Sequence, residues 1–189
     1  MTDPRDHHPL PVRAVNIVRQ WDDDRLQPRD PDAVLPWELG LERLSAPELY
    51  WNVTVTGGDA PHVRPVFAVV ADGVLCTTTS ATARKTQLLL TEPRCTFATS
   101  ADGMDLVYEG IAARVDDRDR LDRVAAAYRD KYGWPVDVAG ADAGLHAPFA
   151  APTAGPPPYV VFAIEPVTVY GLGTDEAHAP RSTRWEFAR

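Results

Sequence analysis

Sulfur is scarce in this chain of 189 residues: two cysteines, Cys76 and Cys95, and two methionines. Neither cysteine sits in a C-x-x-C pair, which argues against a disulfide scaffold and a zinc ribbon and points to a reducing, cytoplasmic compartment. Both fall in predicted strands, where a free cysteine packs as a small apolar side chain. No apolar run approaches the roughly 18 residues of a membrane span. The opening MTDPRDHHPLPVRAV has no apolar segment of the kind a secretory signal needs. Positive charge is the scarcer sign, with 19 Lys and Arg against 27 Asp and Glu and a formal net charge of -8. That balance disfavours a nucleic-acid partner. Catalytic signatures are missing as well: no G-x-S-x-G, no H-E-x-x-H and no G-x-G-x-x-G. The five histidines, His7, His8, His62, His146 and His178, are scattered and give little support for metal hydrolysis.

What is present is enough apolar sequence, 44% of the chain, to bury one real core. Proline is abundant at 18 residues and gathers in two places: an N-terminal arm, 1–35, and a loop, 139–158. Within the arm, Val15–Trp21 is apolar enough to dock. From 36 onward the chain reads as a single domain. Ser45-Ala46-Pro47-Glu48 has the form of a capping box and predicts a short helix start. Leu49–Thr56 is β-branched and aromatic and predicts a strand, followed by a turn at Gly57-Gly58-Asp59. Val63–Val70 predicts a second strand, with Pro65 marking an edge or bulge. Asp72-Gly73 is a two-residue hairpin signal, and Val74–Thr79 is the return strand.

Ser80 is read as the N-cap of a helix over 81–90, stopped by Pro93. Strands follow at Cys95–Thr99 and Leu106–Val115, the second with Gly110 as a close-approach position. Asp117–Tyr132 carries an i, i+3, i+4 apolar stripe through Leu121, Val124, Ala125, Tyr128 and Tyr132, and Gly133 ends it. Tyr159–Leu172 and Ser182–Phe187 are the last extended segments. No strand–helix rhythm of about 30 residues appears, so a doubly wound parallel sheet is not expected. The expected fold is mainly β: an antiparallel barrel with inserted helices plugging its ends.

Three stretches carry chemistry. Thr77-Thr78-Thr79-Ser80 runs from a strand into a helix start, and Arg84 and Lys85 follow at once. Helix N-termini favour anions, so basic residues there make sense beside a bound phosphate. Arg64 in His62-Val63-Arg64-Pro65-Val66 alternates with apolar neighbours and needs an acceptor, a ligand or a carboxylate such as Glu109. His62 is read as a polar loop residue. Thr183-Arg184-Trp185 can stack on a flat heteroaromatic, or simply anchor the last strand.

In order, these motifs are H-x-R-P-V (62–66), D-G-V-L (72–75), T-T-T-S with R-K-x-x-x-L (77–89), E-P-R (92–94), V-Y-E-G-x-A (107–112), A-A-Y-R-D-K-Y-G-W (126–134) and T-R-W-x-F (183–187). The set resembles the pyridoxamine 5′-phosphate oxidase-like split β-barrel superfamily over about 36–187. Within it, the chain looks most like the flavin- and deazaflavin-dependent oxidoreductases. The resemblance implies a homodimer with two cofactor sites at the subunit interface. Lys85 matches the cofactor-phosphate lysine. Arg64, Val66, Thr77, Thr78, Thr79 and Ser80 match segments that line the cofactor, and Arg184 and Trp185 match a C-terminal segment that can reach its edge; the reading of a phosphate at Arg84 and Lys85 agrees with this. The ending T-R-W-E-F-A-R departs from the R-L-x-P type of true pyridoxamine phosphate oxidases. It looks more like the branch using coenzyme F420, so F420 is favoured over FMN, with a small-molecule substrate and no catalytic triad. Tyr170 is a candidate proton source. The alternatives are a non-catalytic flavin-, deazaflavin- or haem-binding protein of the same fold and an FMN-dependent pyridoxamine phosphate oxidase-like enzyme.

Overall fold

The computed structural model describes residues 9–22, 25–28, 30–55, 60–138, 144–150 and 154–188. The turn expected at 57–59 and parts of the 139–158 loop lie outside these residues. In chain order the strands are β1 (Arg13–Asn16), β2 (Arg19–Asp22), β3 (Arg25–Pro28), β4 (Tyr50–Thr54), β5 (His62–Val66), β6 (Ala68–Ala71), β7 (Val74–Ser80), β8 (Arg94–Ala101), β9 (Met104–Arg114), β10 (Asp137–Val138), β11 (Leu145–His146), β12 (Tyr159–Gly173) and β13 (Thr183–Glu186). The helices are α1 (Trp37–Ser45), α2 (Arg84–Thr91) and α3 (Arg118–Tyr132).

All pairings are antiparallel. The main sheet runs β1-β13-β12-β9-β8-β4-β5, with β7 and β6 branching from β12. The 15-residue β12 makes this possible. Its first half pairs with β7, and its second half pairs with β13 on the same side, while β9 runs along its other side. The sheet does not close, which is what makes the barrel split. A register shift between Pro166 and Thr168 bends β12 against Gly110. A Cβ on Gly110 would meet the Glu165 carbonyl oxygen at 2.6 Å, so the close approach expected there is real.

Alternation along β7 separates two cores. Leu75 faces the barrel interior with Phe97, Leu106, Tyr108 and Phe162, where Trp37 and Leu44 of α1 and Leu89 of α2 plug the space. Cys76 faces the other way, and there Leu121, Val124, Ala125 and Tyr128 of α3 cover Val69, Val161 and Ala163. The predicted stripe of α3 is thus its buried face. Asp117 caps it by accepting from the Arg120 N–H at 2.8 Å, and Gly133 closes it at φ 61. Asp72 and Gly73 both have positive φ, as the β6–β7 hairpin requires.

Local expectation failed in three places. Ser45 does not start a helix; it is the last residue of α1, and its hydroxyl donates to the Leu41 carbonyl. Burial of Trp37, Gly40 and Leu44 outweighs the capping signal. Ser80 is not the N-cap of α2, because Ala83 holds that position while the Ser80 hydroxyl donates to the Pro156 carbonyl at 2.7 Å. The single strand expected over 63–70 is two. The chain breaks at Phe67, so β5 pairs with β4 and β6 pairs with β7. At the N-terminus, β1 pairs with β13, and Trp37 donates its indole N–H to the Pro9 carbonyl, so described parts of the arm are docked.

Candidate functional site

The site is built where β5, β4 and β8 meet the start of α2. Cross-strand register places Arg64 opposite Asn52 and His62 opposite Thr54, with Asn52 next to Phe97 and Thr54 next to Cys95. One sheet face therefore carries His62, Arg64, Asn52, Thr54 and Cys95 in neighbouring rows. Arg84 and Lys85 open α2 with no acidic residue in its first turn. They lie near enough to His62 that Arg64, Arg84 and Lys85 all act on its imidazole. Burial first, then these three cations, hold His62 below its ordinary value. Three cations thus act on one histidine in a chain whose net charge is -8.

Lys85 is the central member. Burial pulls its ammonium down to about 8, while the Cys95 thiol acts weakly the other way. Burial pushes that thiol up to about 12, so Cys95 stays protonated and is no nucleophile. Lys85 forms no hydrogen bond or ion pair among the described residues. A partly desolvated ammonium without a partner is costly, and a bound anion would relieve it. Asn52 adds a second unmet demand. It is 1% exposed, its amide donates to the Thr96 carbonyl at 3.4 Å, and its Oδ1 has no partner among the described residues.

A cavity of about 1000 Å³ opens mainly on the opposite face of the same strands, and His62, Arg64, Arg84 and Lys85 do not line it. Its walls are apolar at Val53, Val55, Ile111, Pro166 and Val167. Thr54 and Cys95 also line it, and these two residues belong to the cationic face as well. Gly110 forms part of the wall, with Glu109 and Glu165 beside it.

The structure brings together some of the expected residues and separates others. Arg64, Arg84 and Lys85 converge. Arg64 is exposed and donates to the neighbouring Val63 carbonyl at 2.8 Å. Glu109 is not its acceptor, because the register puts Glu109 on the opposite sheet face. Val66 packs against the barrel core near them. The four hydroxyls are divided by β7 alternation: Thr77 and Thr79 share the interior face with Leu75, whereas Thr78 and Ser80 share the α3 face with Cys76. Thr77 donates to the Phe67 carbonyl, and Thr86 bridges the Ser80 carbonyl at 2.6 Å and the Thr79 hydroxyl at 3.3 Å.

At the C-terminus, Trp185 is fully buried, stacked edge-on with Trp37, and its indole donates to the Leu35 carbonyl. Arg184 lies on the opposite sheet face, ion-paired with Glu186 at 2.6 Å, across from Tyr170. Neither joins the cationic cluster within one protomer. His62, read from sequence as a loop residue, is the first residue of β5 and part of the cluster. Its signal was the i, i+2 spacing to Arg64 on a strand.

The sequence matches no protein-family profile and no curated protein. Solved structures do resemble it. A NimC/NimA family protein from Clostridium acetobutylicum superposes with a TM-score of 0.53 at 16% identity, covering 75% of this chain and 90% of that one. A putative pyridoxamine 5′-phosphate oxidase from Listeria innocua gives 0.51 at 18% identity, covering 72% and 94%. The FAD-binding protein from Mycobacterium smegmatis gives 0.52 at 15% identity, covering 73% and 96%. At these identities the likeness shows the fold alone: the chain shares the split-barrel fold of these structures. No helix among the described residues is long and apolar enough to cross a membrane.

Proposed function

We propose that this chain is an oxidoreductase that holds a flavin-type cofactor, coenzyme F420 in preference to FMN, and acts on a small organic substrate. One observation carries the reading: a partly buried Lys85, without a hydrogen bond or ion pair among the described residues, follows Arg84 at the start of α2, and both act on His62 together with Arg64. The residues present fit such a group. Arg84 and Lys85 would hold its phosphate, with Arg64 beside them. Asn52 offers a buried acceptor for a ring or ribityl donor. Bound there, the cofactor supplies hydride transfer. The apolar walls exclude water, and the cations fix the orientation of the bound molecule. Tyr170 lies on the other sheet face, so a proton from it would have to serve a site completed by a second chain.

The outer sheet face supports reading the protein as a homodimer. Trp51, Val55, Val63 and Ile111 are exposed on it, with Trp51 opposite Pro65 and Val53 opposite Val63. A second copy would cover this apolar face and bring its Arg184 toward the cavity. The experiment is a titration of the purified protein with FMN and with F420, followed by fluorescence, alongside light scattering for mass. Saturable binding of F420 tighter than FMN by a dimer is expected; binding of neither sinks the reading. A non-catalytic carrier is the second reading, favoured by the likeness to a FAD-binding protein. Turnover of an electron acceptor by the reduced, loaded protein separates the two.

A further inference from the structure

The cavity of about 1000 Å³ has a charge pattern of its own, which the reading of the cationic cluster leaves unused. The described charged side chains that line it are Arg94, Glu109 and Glu165. Arg94 is taken up by Glu92, with Nε 2.7 Å from Oε1 and Nη2 2.9 Å from Oε2. Glu165 lies 3.7 Å from Nη2 of Arg120. Glu109 differs from both: its carboxylate has no hydrogen bond or ion pair among the described residues. Its cross-strand neighbours are Thr96 on β8 and Thr168 on β12, both uncharged. One strand further along the row stands Glu186, which already holds Arg184 at 2.6 Å and Arg13 at 3.6 Å. Glu109 is half-buried, and Val53, Val55, Ile111 and Val167 form apolar wall beside it. Val167 joins that wall because the register shift in β12 leaves it without a partner on β9.

We propose that this cavity is a binding site for a small molecule with an apolar body and a basic nitrogen. The ammonium pairs with Glu109, and the body lies on Val53, Val55, Ile111 and Val167. The size fits, since sites for small organic ligands run from about 300 to 1000 Å³ and are mostly apolar with a few placed polar groups. The sign follows from the lining. Glu109 and Glu165 repel an anion, and Arg94 offers little to offset them while Glu92 holds its guanidinium at two points. A neutral ligand gains only the apolar contact, whereas a cation adds a charge-assisted hydrogen bond at the edge of apolar walls, where it is less screened than in water. The site stands without the cofactor reading, because His62, Arg64, Arg84 and Lys85 do not line it.

Calorimetric titration of the full chain at neutral pH with phenylbutylamine, phenylbutanol and phenylbutyrate tests one apolar body with three ends. The amine is expected to bind about tenfold or more tighter than the alcohol, the range for one hydrogen bond to a charged group, with the carboxylate weakest. Glu109→Gln should bring the amine to within about twofold of the alcohol. The same charge change at exposed Glu176, Glu176→Gln, should leave the preference in place. Methyl NMR of isoleucine-labelled protein locates the ligand: the Ile111 δ-methyl, assigned with Ile111→Val, should shift as the amine saturates. No saturable binding of the amine, equal affinity for the three ends, a preference that survives Glu109→Gln, or an unmoved Ile111 methyl each overturns the proposal. The comparison of the three ends on the wild type needs no substitution to fold. Light scattering on the same samples identifies a second copy as the occupant, which would show as a dimer that takes up no amine and likewise overturns it. The cofactor reading is decided separately by the titrations with FMN and F420.

Discussion

Lys131 and Lys85 are both pulled down to about 8 by burial, yet they stand in opposite surroundings. Lys131 near the end of α3 donates to the Tyr50 hydroxyl at 2.8 Å and to the Ala68 carbonyl at 3.1 Å. Its ammonium also lies 4.8 Å from the Tyr50 ring centroid and 5.3 Å from that of Tyr132. Tyr50 in turn donates to the Leu44 carbonyl, and Tyr132 donates to the carbonyls of Ala68 and Glu48. This network ties α3 to α1, β4 and β6 without a ligand. Lys85, at the start of α2, acts with Arg64 and Arg84 on His62 and lies by a protonated thiol, but has no acceptor among the described residues. The same titration shift therefore has two settings. One lysine holds the fold together; the other has a demand that the described residues do not meet and a bound anion would.

The largest expected effect is on binding at Lys85. Lys85→Ala should weaken F420 or FMN binding by roughly 10- to 100-fold, the range for losing one charged hydrogen bond, without loss of fold. An unchanged dissociation constant would erase the contrast. Next comes Lys131→Met, which takes the donor from the Tyr50 hydroxyl and leaves the Ala68 carbonyl with Tyr132 alone. It should cost about 1–3 kcal/mol in urea denaturation and leave cofactor affinity within about twofold. A comparable loss of affinity would show that the two lysines are not separate in role.

A smaller effect is expected on stability in the absence of cofactor. Lys85→Met removes an unpaired, desolvated ammonium and should raise the melting temperature by about 2–4 °C at pH 7. A lower melting temperature would mean that Lys85 has an internal partner. The last effect is pH-dependent. Both lysines have folded values near 8, below their ordinary 10.5. The folded protein then binds fewer protons than the unfolded chain above pH 8, so stability rises with pH from there. The rise ends near pH 10, where unfolded tyrosines ionise but buried Tyr50, Tyr108 and Tyr128, held above 10, do not. Melting curves from pH 7 to 10 should show this rise, and Lys85→Met should remove about half of it. A slope unchanged by the substitution would contradict the burial of Lys85.

Much of the scaffold was legible because period and turn chemistry are local. The α3 stripe, its Asp117 and Gly133 ends, the Asp72-Gly73 hairpin and the tight Gly110 all follow from residues a few positions apart. The signals that failed were also local, and tertiary burial overrode them. Ser45 carries a capping pattern, but Trp37 and Leu44 are what the barrel interior needs, so the helix ends where one was expected to begin. Phe67 sits inside an unbroken apolar run, yet its carbonyl accepts from Thr77 and Tyr128, and the chain switches strand partners there. For the proposed site, adjacency in sequence singled out Arg84 and Lys85, and the alternation of β5 singled out Arg64. It did not reveal His62, because nothing in His62-Val63-Arg64 says which element will cover that face.

Trp185 marks the boundary between the two kinds of information. A Thr-Arg-Trp triplet suits a cofactor edge as well as a core. The fold sends Trp185 inward against Trp37 and Gly171, where a Cβ on that glycine would lie 2.7 Å from the indole, and sends Arg184 to the outer face. By itself the sequence determined the antiparallel β class, the helix with its caps, and a basic helix start suited to phosphate, since propensity, periodicity and charge act between near neighbours. Only the tertiary structure decided which cations share a face, which lysine stays unpartnered and where the cavity opens. Those depend on strand register between segments tens of residues apart, and a shift of one residue would turn each side chain to the opposite face.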